Sequence, residues 1–89
     1  MIEKELRIIN KLGLHARAAA KLVALTSNFA SEIFITKDDK KVNGKSIMGV
    51  MMLAASQHTK VTVATTGEDE ELAMTEIENL INNYFDEEE

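Results

Sequence analysis

The chain contains no cysteine, no proline and no tryptophan, and its 89 residues include four aromatic side chains, Phe29, Phe34, Tyr84 and Phe85. Without cysteine there is neither a disulfide framework nor a thiolate metal centre. Two histidines, His15 and His58, are too few for a histidine cage, so neither a metal nor a cofactor is expected. No apolar run reaches the ~18 residues that span a bilayer. The opening Met1–Glu5 carries acids where a secretory signal has its apolar core, which points to a cytoplasmic location and away from the membrane. The length suits one domain over residues 1–89 with one small core.

Basic residues are missing from the C-terminal third. All ten Lys and Arg lie in residues 1–60 with five Asp and Glu, a local net of +5; residues 61–89 hold ten acids and no base, a net of -10. Nucleic-acid-binding domains combine a basic face with stacking aromatics or a reading motif. An RNA-binding or adaptor domain is therefore disfavoured, and no nucleic-acid partner is expected. The polarity suits a molecule that offers a mildly basic end to anionic ligands or acidic partners.

What is present reads as short alternating elements. Leu6–Ile9 is β-prone. From Ala16 to Ser27 the composition turns to Ala, Leu, Lys and Arg, with Ala16, Ala19, Leu22, Val23 and Thr26 on one helical face. Glu32–Thr36 is a strand rich in β-branched and aromatic residues, and Lys37-Asp38-Asp39-Lys40 turns it back through Lys41–Asn43. Ser46 suits an N-cap for the apolar run Ile47–Ala55, whose helix is kept short by Gly49. Val61–Thr65 is the last strand. Ala73, Ile77, Leu80, Ile81 and Tyr84 then mark an amphipathic helix over Glu70–Phe85 with an acidic first turn that suits the helix dipole. Residues 86–89 read as a frayed tail. The order β-α-β-β-α-β-α with a tight hairpin predicts an α+β fold in two layers, an antiparallel sheet covered on one face by three helices.

One string stands apart, Gly13-Leu14-His15-Ala16-Arg17. It sets a histidine where a glycine loop enters a helix, beside the first-turn amides at Ala16 and Arg17 that have no partner within the helix. Those amides and the helix dipole make an anion site, and the positive end of the dipole favours a neutral, nucleophilic ring. Arg17 adds a forked cation for phosphate oxygens. Gly13 allows a tight loop and leaves room for a partner to approach. A nitrogen nucleophile forms a P–N bond that remains easy to break, and no carboxylate, metal site or nucleotide loop stands nearby in sequence. This pattern holds a phosphoryl group without generating one. From the spacing alone, an exposed loop histidine beside an unrelated arginine fits at least as well.

That string, followed by an Ala-rich helix and by Val42-Asn43-Gly44-Lys45-Ser46-Ile47-Met48-Gly49-Val50, resembles HPr, the family of histidine-containing phosphocarriers of the phosphoenolpyruvate-dependent phosphotransferase system. The resemblance runs over essentially the whole chain. It implies an open-faced β-sandwich with strand order 1-4-2-3. It implies phosphorylation of His15 on Nδ1 by enzyme I, donation to a IIA domain, and support of the phosphoryl group by Arg17. Such a protein is a carrier and not an enzyme in the strict sense, since turnover needs two other proteins. Family members usually have proline after the arginine; this chain has Ala18, which restores an N–H, keeps helix propensity, and suggests a nitrogen-related or regulatory branch over bulk sugar uptake.

Ser46 by itself reads as a helix cap. The resemblance adds that it looks like the serine modified by HPr kinase/phosphorylase, where phosphate at a helix N-terminus is well tolerated and brings a charge of about -1.5 to -2. A pure regulatory module, with phosphorylated Ser46 acting as corepressor for a transcriptional regulator, is the alternative; relatives dedicated to that role lack the histidine, so His15 favours the carrier. Leu14, Ala16, Ala20, Ile47, Met48 and Met51 are expected to face partners, the methionines supplying an adaptable surface; Met52 turns further round. His58 reads as a solvated loop residue. A monomer is expected.

Overall fold

Alternation of side chains sets the sheet. The computed structural model describes residues 1–87 and orders them as β1 (Ile2–Arg7), α1 (Ala16–Thr26), β2 (Glu32–Lys37), β3 (Lys40–Asn43), α2 (Ile47–Met52), β4 (Lys60–Thr66) and α3 (Glu70–Asn82). All pairings are antiparallel and the spatial order is β1-β4-β2-β3, with Leu6 opposite Val61 and Ile35 opposite Val63. In the two inner strands Ile33, Ile35, Val61, Val63 and Thr65 are buried on one face, where they meet Leu22, Val50, Leu53, Ile77 and Ile81 from the helical layer. Each such aliphatic side chain contributes about 1.5–3 kcal/mol on burial. The other face stays open and carries Phe34, with the Lys41 ammonium 4.5 Å above its ring. This is the α+β sandwich, in the strand order the resemblance implied.

The first strand lies earlier than expected. It runs from Ile2 to Arg7 because β4 offers a full partner as far as Thr65, and the ladder recruits Glu3-Lys4-Glu5 whatever their polarity. Charged residues are tolerated at a sheet edge. Lys4 reaches over the helical side to Glu78 of α3, 3.0 Å away. In α1 the buried face is Ala18, Ala19, Leu22 and Thr26, and Ala16 is exposed at the helix entrance.

The end of the chain departs most from the reading by periodicity. Helix α3 buries Ala73, Met74, Ile77 and Ile81 and stops at Asn82. Tyr84, Phe85 and Asp86 follow as a single helical turn with φ of 59°, 53° and 62°. Left-handed backbone costs about 1–2 kcal/mol for each such residue. The turn is held by what it places: Phe85 is completely buried, its carbonyl accepts a 2.8 Å hydrogen bond from Lys21 Nζ, and Tyr84 turns outward. Glu87 is accordingly bonded to the body of the fold through Asn10 and His15, while Asp86 is exposed and accepts a hydrogen bond from Asn83. Of the predicted tail, residues 88 and 89 lie outside the described residues.

Asp69 ties two loops together. Its carboxylate accepts from the Ser31 hydroxyl and from the amides of Ala30 and Ser31. The Ser31 hydroxyl first, and then the Ala30 amide, hold this carboxyl below its usual range. Among the described residues no helix is long and apolar enough to cross a membrane.

Two outcomes follow from this packing. Phe85→Ala removes the anchor of the terminal turn and is expected to cost about 3–5 kcal/mol of stability in denaturant unfolding; a loss below ~1 kcal/mol contradicts the anchor role. Because the Asp69 pKa is depressed by folding, its contribution is present above the unfolded value and is lost as pH falls through the folded one. The difference in Tm between the wild type and Asp69→Asn should therefore narrow as pH drops from about 6 to about 2.5, and a gap that stays constant or widens overturns that account.

Candidate functional site

The loop before α1 is built on close backbone approach. Gly13 has φ of +67°, a region glycine enters freely. A Cβ there would sit 2.8 Å from Ser56 Cα and closer still to the Ala55 carbonyl oxygen. The space beside Gly13 is thus filled by the chain's own 55–56 segment and not left for a partner, as the sequence reading held. Leu14 donates its N–H to the Ala55 carbonyl at 2.9 Å and buries its side chain in the core. Leu14 accordingly supports the loop from beneath and has no surface to offer a partner. Asn10, fully buried, closes the loop on itself by donating Nδ2 to the Gly13 carbonyl at 2.8 Å.

This loop delivers His15 as the N-cap of α1, in extended conformation (φ -76°, ψ 178°), with its carbonyl accepting the Ala19 amide at 2.8 Å. The imidazole makes no capping bond. The amides of Ala16, Arg17 and Ala18 therefore open the helix without an acceptor among the described residues. Such donors, aligned with the helix dipole, hold anions. Ala18 is buried and carries the third of these N–H groups. Arg17 is exposed and forms no hydrogen bond or ion pair among the described residues. Ala16 and Ala20 are exposed on the same helix.

The sequence reading missed one member of the site. Glu87 Oε2 lies 2.6 Å from His15 Nε2, and its Oε1 accepts from Asn10 Nδ2 at 3.0 Å. A carboxylate does stand beside the histidine, brought from 72 residues away. Burial works against its ionisation. The hydrogen bonds from Asn10 and His15, with the charges of a protonated His15 and of Lys21, outweigh this and hold the carboxyl below its usual range. No local motif announces Glu87; the available signal was Phe85 two residues before it, an aromatic beyond the end of a helix and so a candidate anchor.

Ser46 caps α2 as expected: its Oγ accepts the Gly49 amide at 3.1 Å and its carbonyl accepts the Val50 amide at 2.9 Å. Val50 and Leu53 fix the helix in the core, and Ile47, Met48, Met51 and Met52 are exposed. Lys37 and Lys40 close the far end on the carbonyls of Leu53, Ala54 and Met52. Helix α2 packs beside α1, so these apolar side chains and Ala20 belong to neighbouring helices. His58 is exposed in a turn with φ of 73°, its N–H bonded to the Ile8 carbonyl.

Comparison with known proteins agrees with this geometry. Residues 2–83 match the family model described as the PTS HPr component phosphorylation site. The chain is 53% identical to the phosphocarrier protein HPr of Neisseria meningitidis, over 98% of each chain. A crystal structure of HPr-C-His from Thermoanaerobacter tengcongensis superposes with a TM-score of 0.96 at 48% identity, covering 100% of both chains. The domain-swapped Crh of Bacillus subtilis is 42% identical, with a TM-score of 0.76 over 94% of this chain and 97% of that one. The chain belongs to the HPr family of phosphocarriers of the phosphotransferase system.

Proposed function

We propose that this protein accepts a phosphoryl group on Nδ1 of His15 from phosphorylated enzyme I and passes it to a IIA domain in the cytoplasm. The observation that carries this reading is the junction at His15: a ring at a helix N-cap, with the first-turn amides and the Arg17 guanidinium beside it, none of them bonded among the described residues. Phosphoryl transfer asks for positioning and for neutralisation of charge on the phosphoryl oxygens. The Ala16 and Arg17 amides and the Arg17 guanidinium supply the second, and a ring three-quarters shielded by the fold supplies the first. The docking surface is the exposed part of α1 and α2, with Ala16, Ala20, Ile47, Met48 and Met51.

Ser46 is a regulatory position in this reading. A phosphate on its Oγ would take the place of a neutral cap at the positive end of α2, which the fold accommodates. The same charge, placed among the exposed methionines, would repel an acidic partner surface. A kinase of the HPr kinase/phosphorylase type would be the modifying enzyme. The similarity to Crh, whose structure is described as that of a catabolite repression protein, favours a second role as a Ser46-phosphorylated partner of a transcriptional regulator alongside the carrier role.

Incubation with enzyme I and phosphoenolpyruvate should place one acid-labile phosphate on His15 by mass spectrometry. His15→Ala should abolish it, and Arg17→Ala should slow it about 100- to 1000-fold, as loss of a group that stabilises developing charge does; label that survives His15→Ala overturns the assignment. Ser46→Asp should leave the fold intact and slow acceptance from enzyme I about tenfold or more, equivalent to about 1.4 kcal/mol on the barrier. Acceptance at the wild-type rate removes the electrostatic case for Ser46.

A further inference from the structure

The carboxylate of Glu87 is not accounted for by the carrier reading. It is a shielded acid, its side chain 10% exposed, held at one end by His15 Nε2 (2.6 Å) and at the other by Asn10 Nδ2 (3.0 Å). Asn10 is itself fixed: its Nδ2 faces two acceptors, the Gly13 carbonyl and Glu87, which settles the orientation of the amide. The terminal turn that carries Glu87 is anchored independently, through buried Phe85 and the Lys21 bond to its carbonyl. The carboxylate is thus placed from both sides before it meets the imidazole.

We propose that Glu87, oriented by Asn10, is a positioning residue for His15, fixing the ring so that Nε2 carries the proton and Nδ1 presents the lone pair that attacks phosphorus. An ionised carboxylate only accepts hydrogen bonds. A neutral imidazole that bonds to it through Nε2 must therefore place its N–H there and leave Nδ1 unprotonated. With the ring neutral, the Asn10 hydrogen bond and the Lys21 charge still favour the ionised form of Glu87.

The step balances without a proton leaving the ring. The Nδ1 lone pair forms the new N–P bond while the bond from phosphorus to the donor breaks, and the donor's leaving atom keeps that electron pair. The phosphorylated ring retains its Nε2 proton and gains positive charge. Glu87 faces that charge at hydrogen-bond distance. The reverse transfer to an acceptor returns the lone pair to Nδ1 with Nε2 unchanged. The arrangement parallels that of a general base oriented by a third group, with the histidine here as nucleophile.

This inference rests on His15 being the phosphoryl acceptor, and the experiment separates the two. With uniformly ¹⁵N-labelled histidine, the His15 Nε2–H should be seen in the wild type as a protected proton, exchanging with water at least about tenfold more slowly than in Glu87→Ala. Enzyme I-dependent phosphorylation should slow about tenfold in Glu87→Ala, with the KM for the donor little changed. Glu87→Gln, which keeps an acceptor but removes the charge, should recover part of the proton protection and little of the rate. Amide spectra of all three should match, since Phe85 and Lys21 still anchor the turn. Equal Nε2–H exchange in the wild type and Glu87→Ala, or an unchanged or faster phosphorylation rate, overturns the proposal; the faster rate would mark the tail as a cover over the ring. If the wild type takes no phosphate on His15, the carrier reading fails and the positioning role falls with it, whatever the exchange data show.

Discussion

The site depends on one backbone contact, the packing of Gly13 against the Ala55–Ser56 segment. A side chain at position 13 would drive the two segments apart. With glycine there, the Leu14 amide reaches the Ala55 carbonyl, the Leu14 side chain enters the core, and His15 arrives at the start of α1 in extended conformation. The ring is therefore held by a loop whose position is set by buried contacts on both sides. Active-site loops are commonly among the less stable parts of a fold. Here the loop that carries His15 is tied to the core by Leu14 and to itself by Asn10.

Charge is distributed differently in space than along the chain. The acidic C-terminal third folds back onto the basic remainder: Glu78 meets Lys4, Glu70 meets the N-terminal amine, and Glu87 meets His15. Exposed pairs of this kind contribute little to stability. Four lysines, Lys21, Lys37, Lys40 and Lys45, are engaged with backbone carbonyls at turns and helix ends. Arg17 differs from them in forming no such bond among the described residues. The mildly basic end expected from composition is in this structure narrowed to particular groups around the helix entrance.

His15 keeps about a quarter of its side chain exposed. Phosphoryl transfer between proteins requires both partners to reach one atom, and a deep pocket would prevent that. The apolar side chains exposed on α2 have a physical reason to be there: a six-residue helix anchored by Val50 has few inward positions, so the remaining ones must face out. Methionine at such positions gives a surface that adapts to different shapes at small cost in fixed geometry.

The sequence by itself determined the elements and their kind, because each is a local pattern. Runs of β-branched and aromatic residues marked β2 and β4, the 3–4 spacing marked α1 and α3, and Ser46 marked the start of α2. His15 and Arg17 stood out because the glycine, the histidine and the cation lie within five consecutive residues, but it was the resemblance to a family, and not that spacing, that favoured them as a site. Tertiary structure decided what no local pattern carries. Strand β1 extends to Ile2 only because β4 is there to pair with it, and Leu14 is core only because the Ala55 segment covers the loop. The last turn leaves the helical path because Phe85 finds a place in the core that repays a left-handed backbone. That turn brings Glu87 to the imidazole, a contact between residues 72 apart that depends on every layer of the fold between them.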